Sequence, residues 1–173
     1  LSQWDAVKDI RGLCRVVSAS GFDQGAFCIA YMHQGLSLPR FLNKEKRLEP
    51  DNLLALWLEG LHTVRQLTER GIELNQFSAN DWYASFQRHA GQLEMVITEL
   101  NVANASASNE NMSYIKMMNQ YFIKYCNDQK KLNCLFNEHQ MINDNIHTAA
   151  EAVVILESSY LKYIGHMSRG FVL

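Results

Sequence analysis

Apolar residues recur at three- and four-residue steps most clearly between Pro50 and Gly71. Leu54, Leu58, Leu61, Val64 and Leu67 share one face of a helix predicted over 51–70. Pro50 and Asp51 supply its start, and Gly71 after Arg70 supplies a C-terminal stop. Downstream, residues 112–125 carry Tyr114, Met118, Tyr121 and Tyr125 at helical spacing. Thr148 to Glu151 reads Thr-Ala-Ala-Glu, a capping box. It opens a helix with Val153, Leu156, Tyr160 and Ile164 on one face, closed by Gly165. Shorter apolar runs rich in β-formers predict strands: AFCIAYM from Ala26 to Met32, and a hairpin over 82–86 and 93–97. Residues 4–17 read as a short helix followed by an apolar segment, Leu13 to Val17. SASGFDQG and HQGLSLP read as loops, RFL as the start of a short helix, and Ala105 to Asn111 as a small-residue loop. The fold class expected is mainly α with a small β-hairpin.

Composition narrows the picture. The 173 residues suit a single domain with a sizeable core. The net charge of −2 gives no global attraction to nucleic acid or anionic lipid. The densest basic cluster, KEKR at Lys44 to Arg47, reads as a solvated turn, with a phosphate-binding patch as the sharper alternative. No apolar run approaches the roughly 20 residues of a membrane helix. Leu1 in place of a starting Met suggests a piece of a longer chain. Cys14, Cys28, Cys126 and Cys134 form no CxxC pair and read as reduced, buried thiols of a cytoplasmic or nuclear protein. Cys126, Cys134 and His139 fit no common zinc spacing and lack a fourth ligand, so no metal is expected. Asn104 and Asn111 head glycosylation tripeptides, a pattern that arises often by chance.

The order of elements resembles the large, C-terminal lobe of a protein kinase. The resemblance spans 1–173 in element order, with a hinge-like strand near 26–32, a catalytic-loop-like segment at 71–85 and a helical remainder at 111–165. At the level of motif it covers Phe27 to Asn101. FCIAYMHQGLSLPRFL is similar to the hinge strand, the glycine–small–leucine loop and the lobe's first helix. Laid from Gly71 without a gap, Leu74-Asn75-Gln76 falls on the catalytic His-Arg-Asp, and Phe77 on the apolar residue that follows. Asp81 falls on the metal-binding Asn, and Trp82-Tyr83 on the apolar pair after it. Val96 to Asn101 looks like the strand ending in Asp-Phe-Gly, with Glu99 at the magnesium-binding position. Asn111 stands at the acidic residue that begins the helix after the activation segment.

Each motif is degraded, and the losses fall on chemistry. Phosphoryl transfer needs a carboxylate base, metal ligands, a lysine on the phosphates and a glycine-rich cover. Gln76 at the base position is a neutral amide with no useful proton affinity near pH 7. Moving the register by one residue puts Asn75 there, which repairs nothing. No G-x-G-x-x-G and no V-A-I-K lysine occur, and the Ala-Pro-Glu that ends an activation segment is missing. Asp81 and Glu99 are hard oxygen donors that this alignment offers to a metal-bound nucleotide; the plainer reading makes them surface carboxylates.

What the resemblance implies is therefore a catalytically inactive pseudokinase domain without cofactor, acting as a protein-interaction scaffold or allosteric module. Its partner is expected to be another protein or a second copy, with neither nucleic acid nor membrane. Tyr31, Trp82 and Tyr83 are the interaction candidates, with the Phe122–Phe136 region as a further one, against the plainer reading that Trp82 and the Tyr/Met stripe of the helix are core. One alternative is an unrelated helical adaptor or dimerisation domain. Another is an atypical nucleotide-binding kinase that recruits a base such as His89 or Glu94.

Overall fold

The computed structural model describes Val7, residues 9–10, 12–21, 27–32, 35–45, 48–87, 92–98, 111–128 and 146–169. In chain order these form β1 (Arg15–Gly21), β2 (Phe27–Met32), β3 (Leu36–Ser37), α1 (Leu38–Lys44) and α2 (Pro50–Glu69). A 3-10 turn (Ala79–Asp81) leads into β4 (Trp82–Gln87) and β5 (Gln92–Ile97), followed by α3 (Met112–Asp128) and α4 (Ala149–Arg169). Helix dominates this regular structure, as the periodicity predicts.

The long helix α2 is the axis of the core. Pro50 occupies its first turn, where a missing N–H costs nothing, and Asp51 adds an acid at the positive end of the helix dipole. At the other end Gly71 takes φ 70°, and the Gly71 and Ile72 amides donate to the carbonyls of Thr68 and Leu67. This is the Schellman arrangement that an αL glycine permits. The buried set is broader than one stripe: Leu53, Leu54, Leu56, Trp57, Gly60, Leu61, Thr63, Val64 and Leu67 are all inside, while Leu58 is only half-buried. The helix is covered on several sides, by β5, α3 and α4, so a single-face count misplaces Leu58.

The strands form two antiparallel sheets, of which the one containing β5 packs on this helix. Among the described residues the first pairs β1 with β2 alone, Val16 opposite Tyr31 and Gly21 opposite Phe27. The second has the order β3-β4-β5. Trp82 and Ala84 on β4 stand opposite Ile97 and Met95 on β5, and all four are buried. The period-2 alternation leaves Tyr83, Ser85, Glu94 and Val96 half-buried on the other face. The expected hairpin at 82–86 and 93–97 is thus present, one residue longer on each strand.

Other expectations are corrected. The short helix read at the start of 4–17 is absent among the described residues, where Val7, Asp9 and Gly12 are in turns and Leu13 forms a parallel bridge to Ile97. SASG, read as turn, is the end of β1, because pairing with β2 recruits residues of poor β-propensity. Leu36–Ser37, read as loop, pairs with β4. Gly165 does not stop α4, which continues to Arg169.

Polar bonds, one of them fully buried, tie the helices together. The Trp57 indole N–H donates to Asn119 Oδ1 at 2.9 Å, and the Trp57 ring stacks on Phe122 at a centroid distance of 5.3 Å. The Tyr125 hydroxyl donates to the Leu42 carbonyl at 3.0 Å, tying α3 to α1. The capping box forms as predicted: the Glu151 amide donates to Thr148 Oγ1 at 3.1 Å, and Glu151 Oε2 accepts from the Thr148 amide at 3.2 Å. No described helix is long and apolar enough to cross a membrane.

Candidate functional site

The segment that the resemblance singles out lies between α2 and β4, from Gly71 to Asp81. The glycine turn reverses the chain, and the residues after it alternate between inside and outside. Leu74 and Phe77 are buried, whereas Asn75 and Gln76 are exposed. Phe77 is held edge-on against Tyr114 of α3, with ring centroids 5.4 Å apart.

A buried asparagine fixes the loop's backbone. Asn111, directly ahead of α3, takes the left-handed φ of 58° and is 5% exposed. Asparagine enters that region more readily than most side chains. Its Oδ1 accepts from the Leu74 amide at 2.6 Å. Its Nδ2 donates to the Ile72 carbonyl at 2.9 Å and to Thr68 Oγ1 at 2.8 Å. One side chain thus joins the end of α2, the loop and the start of α3, using its acceptor and both donor hydrogens. The same burial removes Asn111 from consideration as a glycosylation acceptor in the folded chain.

The loop's far end is equally anchored. The Asp81 carbonyl accepts from the Thr98 amide at 2.8 Å and from Thr98 Oγ1 at 3.0 Å. Trp82 is fully buried, and its indole N–H donates to the Tyr114 hydroxyl at 2.7 Å. Burial pushes the Tyr114 phenol well above its usual range, against the opposing influence of that bond, and the nearby Asp81 charge adds to the rise. Tyr114 is accordingly a neutral structural hydroxyl at any physiological pH.

Of the residues singled out in the sequence, Gln76 lies on the exposed crest of the anchored loop and Asp81 half-buried at its end. Glu99, His89, Cys134, Phe136 and His139 lie outside the described residues. Trp82 is corrected from interaction residue to core residue, since an indole at 0% exposure offers a partner nothing to touch. Phe122 is likewise core. Tyr83 is half-buried, and Tyr31 sits on β2 opposite Val16, its side chain not among those described. No group of three His, Cys, Asp or Glu side chains suited to a metal occurs among the described residues.

Beside the loop the structure places a cleft that the sequence did not announce. It has a volume of about 330 Å³ and is lined by Gly35, Leu36, Ser37, Arg40, Asn80 and Tyr83. Four elements build it: β3, α1, the 3-10 turn and β4. Gly35 makes the approach possible. Its φ is 145°, and a Cβ there would stand 2.5 Å from the Ala84 carbonyl oxygen. The glycine singled out ahead of Leu36 therefore has a steric reason to be glycine. Arg40 was seen in the sequence only as the start of a short helix; no local pattern marks it as facing Asn80 and Tyr83.

Helical lobe, small antiparallel sheet and anchored loop define a mostly α domain with a cleft beside that loop. No protein-family model matches the chain, and no curated protein or solved structure is significantly similar to it.

Proposed function

We propose that this chain is a catalytically inactive, protein kinase-like lobe that works by binding another protein. The reading is carried by one observation: Gln76, at the position the resemblance gives to the catalytic base, is an exposed amide on a loop whose backbone is anchored at both ends. An anchored loop presents whatever its crest carries in a fixed place. Here the crest carries Asn75 and Gln76, which neither accept nor release protons near neutral pH. The order of α2, loop, 3-10 turn and hairpin supports the kinase-like reading, as does the position of Asn111 at the head of the next helix.

Protein binding is supported by the small sheet. Among the described residues β1 and β2 pair only with each other. A two-stranded hairpin is marginal by itself in water, and each strand leaves one edge of backbone donors and acceptors for a further strand.

Phosphate transfer from magnesium ATP to general protein substrates tests the catalytic half of the proposal. The expected result is none above background for the purified chain. None is expected for Gln76→Asp either, because a restored base still lacks the phosphate-binding lysine and glycine loop. Reproducible transfer that Glu99→Ala abolishes would overturn the reading.

A further inference from the structure

The geometry points to the cleft between α1 and the 3-10 turn as a docking site for an acidic, extended peptide segment carrying two carboxylates with a single residue between them. The inference rests on the protein-binding reading above and names the chemistry of the partner.

Arg40 lines the cleft, and Lys44 follows four residues later on the same short helix. Both side chains are exposed. The ion pairs among the described residues join His62 to Glu157, Arg65 to Glu69 and Arg70 to Asp9; neither Arg40 nor Lys44 takes part in them or in a side-chain hydrogen bond. Among the described residues no carboxylate pairs with either cation, and the two stand one helical turn apart, Arg40 on the wall of a cleft of about 330 Å³. A guanidinium in such a place favours a carboxylate, which it binds through two parallel N–H bonds. Ser37 and Asn80 on the same walls add a hydroxyl and an amide for the neighbouring peptide group.

The spacing sets the partner's pattern. Residues four apart on a helix are separated by about 6 Å along its axis. In an extended chain, side chains two residues apart lie on one face about 6.8 Å apart. An acidic–any–acidic tripeptide in extended form thus presents its carboxylates in step with Arg40 and Lys44. The adjoining sheet favours that conformation. Among the described residues β3, which contributes Leu36 and Ser37 to the cleft, pairs only with β4 and ends its sheet. Main-chain bonds along such an edge are a common way to hold an extended ligand.

The test is a fluorescence-anisotropy titration of the full chain with a labelled heptapeptide, Gly-Ser-Glu-Ala-Glu-Ser-Gly. Its counterpart with both glutamates replaced by glutamine serves as the neutral probe. Saturable binding of the acidic peptide is expected, weakening as salt rises, with the neutral one at least about tenfold weaker. Arg40→Gln should lower affinity about tenfold and Lys44→Gln severalfold. Both side chains are exposed, so circular dichroism melting should show unchanged folding in either variant. Equal affinity for the two peptides, or full affinity in Arg40→Gln, overturns the inference. Either result leaves the phosphate-transfer assay untouched, so this proposal and the reading it rests on fail separately.

Discussion

Gly12→Ala is expected to lower the stability of the domain by about 3 kcal/mol, at the top of the range for overpacking a filled interior. A Cβ at Gly12 would lie 1.6 Å from Thr63 Oγ1 and 2.7 Å from Thr63 Cβ and Cγ2. Neither partner is free to move away. Thr63 is 2% exposed on α2, and its hydroxyl donates to the Glu59 carbonyl at 3.0 Å. Residues 12–14 are held by the Ile97 amide donating to the Gly12 carbonyl at 2.9 Å and by the Cys14 amide donating to the Ile97 carbonyl at 3.0 Å. Thr63→Ala removes the worst contacts and keeps the 2.7 Å one to Cβ, so the double variant should recover part of the loss. Urea unfolding of the four proteins measures this coupling. A loss below about 1 kcal/mol in Gly12→Ala contradicts the close approach.

Asn111→Gly is expected to cost a similar amount by a different mechanism. Glycine adopts the left-handed backbone without a Cβ penalty, so the expected loss comes from the hydrogen bonds alone. The buried Leu74 amide loses its partner at a cost of roughly 1–3 kcal/mol, and the part-buried Ile72 carbonyl loses its own with a smaller one. Asn111→Asp should be no better. It keeps an acceptor for Leu74 but sets a second carboxylate oxygen against the Ile72 carbonyl, which needs a donor. Hydrogen exchange gives the local readout: the Leu74 amide should be protected in the native chain and exchange quickly in Asn111→Gly. Rapid exchange at Leu74 in the native chain contradicts the anchoring.

These two residues mark what can be read from the sequence and what cannot. Asn111 was legible in part, since the loop-like run before it and the apolar period after it place it at a helix start. That it binds Leu74 and Ile72 was not legible, because those bonds span 37 and 39 residues. The elements read correctly carry their signals locally: the Pro50 start and Gly71 stop of α2, the capping box at Thr148, and the alternation in β4 and β5. Where the reading failed, a local signal yielded to its surroundings. Gly165 resembles a stop but does not adopt positive φ, and a solitary glycine costs a helix only about 1 kcal/mol. Ser18 to Gly21 resembles a turn but pairs with β2. The cleft was invisible because its walls, Gly35 to Arg40 and Asn80 to Tyr83, lie some forty residues apart and meet only through β3 and β4.

The central claim is that the domain acts by contact with protein. Among the described residues β1 and β2 pair only with each other, and Val154 and Leu161 of α4 stand 60% and 68% exposed. Light scattering of the purified chain over a range of concentrations, read alongside the binding of a hydrophobic dye, tests the claim most directly. The account predicts a mass that rises above the 19.9 kDa of one chain, or dye bound to uncovered apolar surface. A monodisperse 19.9 kDa species at high concentration that binds no dye would contradict it.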